Sequence, residues 1–159
     1  MSSAQGLSAA HLPSTATVLY DGDCRLCRVV VAALARWDRR RGALRLVAIQ
    51  SREGGALLAD LTLEQRLESL WVVDEAGHRH AAGRAAAEAV GRLRGGHALG
   101  ALLARFEGLT EAFYRTIAGH RGALGRLIPA AASRRADAVL SSGGAEGMRR
   151  KARSKDGAG

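Results

Sequence analysis

The feature that most constrains this chain is the stretch from Tyr20 to Cys27, in which both cysteines of the protein follow an apolar segment. Residues 17–20, Thr-Val-Leu-Tyr, are typical of a strand, and Asp21-Gly22 ends it with turn-forming residues. The pattern then predicts a helix from about Cys24, so the two cysteines lie one turn apart on the same face of its N-terminus. Two sulfur atoms at that spacing can close a small disulfide ring.

A helix N-terminus suits a reactive cysteine. Its free backbone N–H groups and the positive end of its dipole stabilise the thiolate, which is the nucleophilic form of the side chain. The spacing therefore predicts thiol–disulfide exchange, in which Cys24 attacks a substrate disulfide and Cys27 resolves the mixed disulfide that forms.

Two acidic residues beside the pair have more than one interpretation. Asp23 either caps the helix by accepting a hydrogen bond from its first turn or acts electrostatically on the thiolate, and the two roles are compatible. Asp21 is either a turn residue or a buried proton acceptor beside Cys27.

Length and composition predict one globular domain. The chain has 159 residues, of which 47% are hydrophobic, enough to bury a core. No apolar run approaches the roughly 20 residues that span a bilayer. Residues 1–15 lack the basic start and apolar centre of a secretory signal, so we expect a cytoplasmic protein. In a reducing compartment, a C-x-x-C pair indicates redox or metal chemistry rather than a structural cross-link.

The formal net charge of +9 raises the question of an anionic partner. Most arginines are scattered through predicted helices, and the one basic cluster, residues 149–155, lies in a Gly/Ser-rich tail. No aromatic residue is interleaved with that cluster to stack on bases. We therefore predict weak non-specific attraction to anions and no specific nucleic-acid site.

The order of predicted elements defines the fold class. The helix after the first strand runs from Cys24 to about Arg40 and places its buried stripe at Leu26, Val30, Leu34 and Trp37, with Cys27 and Val31 alongside it. The elements that follow are a second strand at 44–50, one or two short helices within 53–70, a hairpin of strands at 70–74 and 78–82, a helix at 84–93 and helical structure over 97–127. A helical crossover makes the first two strands parallel. This order predicts an α/β, thioredoxin-like fold with a four-stranded mixed sheet, made of a parallel pair plus a C-terminal hairpin, flanking helices and extra C-terminal helices.

The domain boundaries follow from composition. Residues 1–15 are predicted to be disordered, 16–130 to form the domain with its helical extension, and 131–159 to be a mostly disordered Ser/Gly-rich basic tail. Pro129 marks the predicted end of packed structure.

At this point the residues resemble a known family, the DCC family of predicted thiol–disulfide oxidoreductases. Residues 20–27 are similar to its aromatic-D-G-x-C-x-L-C opening. The likeness continues in Ile49-Gln50-Ser51, in residues 84–93 and in the Y-R-x-x-A-x-x-R spacing of residues 114–121, and it covers about 18–127. The resemblance implies a thioredoxin-like fold, a redox-active pair at Cys24 and Cys27, and Asp21 as the acid of the motif. It implies no defined substrate.

The sequence departs from thioredoxins in two places. Arg25-Leu26 stands between the cysteines where thioredoxins have Gly-Pro. The only prolines are Pro13 and Pro129, so no candidate exists for the cis-proline that precedes the third strand and lies against the thioredoxin active site.

Two alternatives stay open at this stage. A metal site would need further ligands beside the cysteines, and His78 and His80 on the predicted hairpin are candidates that nothing places near Cys24. The other alternative is a non-catalytic interaction module with a basic surface. The favoured interpretation is a protein-disulfide oxidoreductase without a bound cofactor or metal. Its expected partners are a disulfide-containing protein or small thiol as substrate, and a reductase or low-molecular-weight thiol as electron donor.

Overall fold

The computed structural model describes residues 15–39 and 42–142. Its elements are β1 (Ala16–Tyr20), α1 (Arg25–Asp38), β2 (Leu44–Ala48), α2 (Arg52–Leu57), α3 (Leu63–Leu67), β3 (Trp71–Val73), β4 (Arg79–Ala81), α4 (Ala82–Arg92), α5 (His97–Arg105), α6 (Glu107–Gly119) and α7 (Arg121–Leu127). A further helix, α8, occupies residues 130–142. The predicted disorder of residues 1–14 and the basic cluster at 149–155 lie outside the described residues. No helix within the described ranges is long and apolar enough to cross a membrane.

The four strands form one sheet in the order β2-β1-β3-β4. β1 is parallel to β2, with Val18 opposite Leu46, and antiparallel to β3, with Val18 opposite Val72. β3 and β4 form the predicted antiparallel hairpin. The predicted mixed sheet is confirmed, and the architecture is consistent with a thioredoxin-like fold.

β1 is the buried centre of the sheet. Val18 and Tyr20 face a core that includes Val31 of α1 and Ala85 of α4. Leu19 points to the opposite face, where a second cluster contains Val47, Ile49 and Leu58. Because both faces of β1 are covered, the position of its C-terminal end is fixed by packing. The loop with the two cysteines follows directly from that end.

The predicted buried stripe of α1 is wrong in part. Val30 and Trp37 are 47% and 46% exposed, whereas Val31 and Ala32 are buried. The run Val29-Val30-Val31-Ala32 places apolar side chains all round this part of the helix, so spacing alone does not identify the buried face.

The buried face of α1 continues to Asp38, which has only 4% exposure. Its carboxylate accepts hydrogen bonds from the backbone N–H groups of Ala43, at 3.0 Å, and Leu44, at 2.9 Å. From its sequence, this charged end of α1, including Asp38, is expected to lie on the outer face of the helix, and for Asp38 this prediction is wrong. Asp38 turns inward because the start of β2 presents N–H donors that need an acceptor.

Helix α8 corrects the prediction that packed structure ends at Pro129. Residues 131–142 are helical, Ala136 is buried, and Leu140 packs against the core that contains Val18. Asp137 of α8 pairs with Arg28 of α1. Composition underestimated this segment because a few small apolar residues on one helical face are sufficient to dock it.

Candidate active site

Cys24 is the N-cap of α1. Its Sγ accepts a hydrogen bond from the backbone N–H of Cys27 at 3.3 Å. The predicted capping role of Asp23 is therefore wrong, since the cysteine sulfur occupies that position. A sulfur held as an acceptor at the start of a helix is in the environment that stabilises a thiolate.

Cys27 lies deeper than Cys24 on the first turn of α1, and both side chains are free thiols. Burial, the hydrogen bond to Cys24 and the negative charges of Cys24 and Asp21 raise the pKa of Cys27 well above its ordinary value, and the charge of Arg121 lowers it. Cys27 is thus a protonated thiol at neutral pH, placed to donate its S–H to the sulfur of Cys24.

Gln50 fixes the loop that precedes the cysteines. Its Oε1 accepts from the backbone N–H of Gly22 at 3.0 Å, and its Nε2 donates to Asp21 Oδ1 at 2.7 Å and to Asp23 Oδ2 at 3.3 Å. Asp21 Oδ1 also accepts from the backbone N–H of Asp23 at 3.0 Å. Asp21 is therefore a turn residue, and its negative charge also acts on Cys27. Its role as a proton acceptor stays a prediction.

Sequence reasoning missed the role of Gln50. The residue stands within the family-like segment after β2, but its chemistry gave no sign of function. The available signal was topological, because β1 and β2 are parallel and their C-terminal ends lie side by side.

Two residues of the C-terminal helices contact the loop before β3. The hydroxyl of Tyr114 accepts a hydrogen bond from the backbone N–H of Leu70 at 2.6 Å, and Arg121 Nη1 donates to the carbonyl of Leu67 at 2.6 Å. Burial raises the pKa of Tyr114, and the charge of Cys27 raises it further. Tyr114 and Arg121 therefore border the cysteine pair as well as the loop.

Cys24 opens onto a shallow pocket of about 430 Å³. The pocket is lined by the β1–α1 loop, the start of α1 and one side of α7. Its residues are Asp21, Asp23, Cys24, Arg25, Arg121, Gly122, Gly125 and Arg126. Helix α7 thus forms one wall of the site and leaves a route from solvent to the outer cysteine.

The hairpin histidines lie elsewhere. His78 Nδ1 and His80 Nε2 contact Asp74 Oδ2 at 3.2 and 3.4 Å. The sequence predicts two exposed histidines on the hairpin. The side chain of His78 is 75% exposed, whereas that of His80 is largely buried, so this prediction is confirmed only for His78. Among the described residues, no group of three or more His, Cys, Asp or Glu side chains is arranged to hold a metal ion.

Comparison with known proteins gives one match. The family model described as DCC1-like thiol-disulfide oxidoreductase matches residues 18–127, which is more than half of the chain. No curated protein and no solved structure matches. The matched region begins in β1 and ends with α7, so it contains the cysteine pair, Gln50 and the helical wall of the pocket. The chain therefore belongs to the DCC1-like thiol-disulfide oxidoreductase family.

Proposed function

We propose that this protein is a protein-disulfide oxidoreductase that works by dithiol–disulfide exchange, with Cys24 as the attacking and Cys27 as the resolving residue. The observation that carries the proposal is the asymmetry of the pair. Cys24 Sγ accepts a helix N–H and lines an open pocket, whereas Cys27 is protonated and lies one turn deeper.

In the first step, the thiolate of Cys24 attacks one sulfur of the substrate disulfide. The substrate S–S bond breaks, a bond forms between Cys24 Sγ and that sulfur, and the other half of the substrate leaves as a thiolate that takes a proton from water. The thiol of Cys27 and the backbone N–H of Cys27 both stabilise the charge on Cys24 before the attack.

In the second step, Cys27 loses its proton and attacks Cys24 Sγ, which releases the second substrate thiol. Once Cys24 is part of a neutral mixed disulfide, the charge and the hydrogen bond that raised the pKa of Cys27 are gone, and the nearby Arg121 favours its thiolate. The carboxylate of Asp21, the acidic residue of the motif, acts as a general base and accepts the proton from Cys27. The second substrate sulfur leaves as a thiolate and takes a proton from water. The substrate gains two electrons, and the protein gains an intramolecular disulfide.

The cycle needs an electron donor, which is a partner reductase or a low-molecular-weight thiol that reduces the Cys24–Cys27 disulfide. The substrate is a disulfide-containing protein or small disulfide. We place this chemistry in the cytoplasm, where the thiol pool keeps such a pair reduced. Specific nucleic-acid binding is not part of the proposal.

A disulfide-reduction assay on insulin or glutathione-linked disulfides tests the assignment of the cysteines. We expect Cys24→Ser to abolish activity and Cys27→Ser to accumulate a mixed disulfide on Cys24, detected by mass spectrometry. Equal rates in the wild type and both variants would reject the proposal and favour a non-catalytic interaction module.

The same assay tests Asp21. Asp21→Asn keeps an oxygen that can accept from Asp23 N and Gln50 Nε2, so the loop geometry is retained while the charge is removed. We expect turnover to fall about tenfold or more, because general-base catalysis typically contributes about a hundredfold or more to a rate. Mixed-disulfide formation by Cys24 should change little. Asp23→Asn is the matched control. Equal turnover in the two variants would remove Asp21 from the mechanism.

A further inference from the structure

We propose that the pocket beside Cys24 selects substrate disulfides that carry a carboxylate near the sulfur atoms, and that Arg25 and Arg126 bind this carboxylate. The inference rests on the proposed function, because it names the class of substrate that Cys24 attacks.

Two arginine side chains flank the pocket beside Cys24. Arg25 is the first residue of α1 and directly follows Cys24, while Arg126 comes from the facing helix α7. Both line the pocket that Cys24 opens onto. An anionic group bound between them would lie beside the attacking sulfur. The substituents of a small disulfide occupy the same region when Cys24 attacks it.

The pocket also contains carboxylates, but these are already engaged. Asp21 accepts from Asp23 N and from Gln50, and Asp23 accepts from Gln50, so their charges are partly balanced by donors of the β1–α1 loop. Within the described ranges, by contrast, the side chains of Arg25 and Arg126 make no hydrogen bond or ion pair. The donors left for a ligand are therefore guanidinium groups, which bind carboxylates in a bidentate manner.

The walls leave room for a ligand between the two helices. Gly122 and Gly125 are the α7 residues between Arg121 and Arg126 that line the pocket, and a Cβ at Gly122 would meet nothing within 4 Å. Arg121 contributes further positive charge, but it also donates to the carbonyl of Leu67. It is therefore left unchanged in the test, since its replacement would disturb the loop before β3.

The test uses three disulfides with the same two-carbon arms and different charges: 3,3′-dithiodipropionate (anionic), 2-hydroxyethyl disulfide (neutral) and cystamine (cationic). The rate constant for mixed-disulfide formation is measured by mass spectrometry on full-length Cys27→Ser, in which the reaction stops after the attack by Cys24. Each rate is divided by that of 3-mercapto-1,2-propanediol, a neutral thiol, with the same disulfide, which corrects for intrinsic reactivity.

We expect the corrected rates to follow the order anionic, neutral, cationic. Each exposed ion pair contributes about threefold, so Arg25→Gln with Arg126→Gln should lower the anionic-to-neutral ratio about tenfold. High salt should shrink the ratio in the parent protein, because these charges are exposed to solvent.

Arg36→Gln is the control, because it removes the same charge from an exposed position of α1 that is about 16 Å along the helix from Arg25. It should leave the ratio unchanged. Equal corrected rates for the three disulfides, a preference for cystamine, or an equal effect of Arg36→Gln would overturn the inference while leaving the exchange reaction intact. Corrected rates no greater than 1 for every disulfide, meaning that the protein reacts no faster than the small reference thiol, would instead reject the proposed function itself.

Discussion

The hydrogen bond between Tyr114 and Leu70 provides the sharpest test of how the site is held together. The Tyr114 hydroxyl accepts from the Leu70 N–H at 2.6 Å and connects α6 to the residue that precedes β3. Tyr114→Phe removes the oxygen and keeps the ring, so the packing is retained. The Leu70 N–H then loses its acceptor in a partly buried position.

The size of the effect follows from that loss. A buried donor without a partner costs about 1–3 kcal/mol, and partial access of water to Leu70 favours the lower part of this range, about 1–2 kcal/mol. For a domain of this length, each kcal/mol lowers Tm by about 3–4 °C, so we expect Tm to fall by about 3–8 °C. Mixed-disulfide formation by Cys24 should also slow, because Arg121, which lines the pocket beside Cys24, contacts the same loop.

The chain offers a matched control, since Tyr20 is its only other tyrosine. The hydroxyl of Tyr20 makes no hydrogen bond among the described residues, and Tyr20→Phe should change stability by no more than about 0.5 kcal/mol. Thermal unfolding at pH 7, followed by circular dichroism, measures both variants. Equal Tm values for Tyr114→Phe and Tyr20→Phe would refute the proposed role of the Tyr114 hydroxyl.

Two further predictions concern stability. A Cβ at Gly54 would lie 2.3 Å from the carbonyl oxygen of Ala48, whereas one at Gly55 would meet nothing closer than 3.5 Å; urea unfolding should therefore show Gly54→Ala destabilised by about 1–3 kcal/mol and Gly55→Ala almost unchanged. Burial raises the pKa of Cys27, so its contribution to stability is complete below about pH 8.5, where an unfolded cysteine titrates, and is lost as the pH rises toward the folded value. At pH 9.5 this titration should lower the free energy of unfolding by about 1.4 kcal/mol. In unfolding experiments under a phosphine reductant, Cys27→Ser should lose less stability than the wild type as the pH rises. Parallel curves of unfolding free energy against pH for the two proteins would contradict the assignment.

The sequence was sufficient for the order of the strands and of the helices up to α4, because each of these elements has a local signal. It did not divide the helical stretch 97–127 into α5, α6 and α7, and it missed α8. The apolar runs of β1 and β2, the turn residues before β4 and the glycine after α1 all predict features that the structure confirms. The parallel pairing of β1 and β2 followed from the helix between them, and it brings Gln50 beside the loop that carries Asp21.

The sequence did not reveal the hydrogen-bond roles of two acidic residues, because these roles depend on donors that come close only in the folded protein. Asp38 is polar and looks like a surface residue, but it accepts from two N–H groups at the start of β2. Asp23 is a better helix cap than cysteine by propensity, yet the sulfur of Cys24 occupies the position because Asp23 interacts with Gln50. Local residue propensities therefore cannot predict these contacts, which depend on the tertiary structure.

The absence of a proline before β3 has a structural counterpart in the C-terminal helices. The resemblance to thioredoxins left the loop at residues 67–70 without the residue that borders the cysteines in those proteins. Here Tyr114 and Arg121 contact the backbone of that loop at both ends. The family match ends at residue 127, the last residue of α7, so the helices that supply these contacts are within the region that the family model covers. We therefore interpret α6 and α7 as part of the active site rather than as an appended extension. Both helices hold the loop, Arg121 of α7 lowers the pKa of Cys27, and α7 forms the wall against which a substrate would bind.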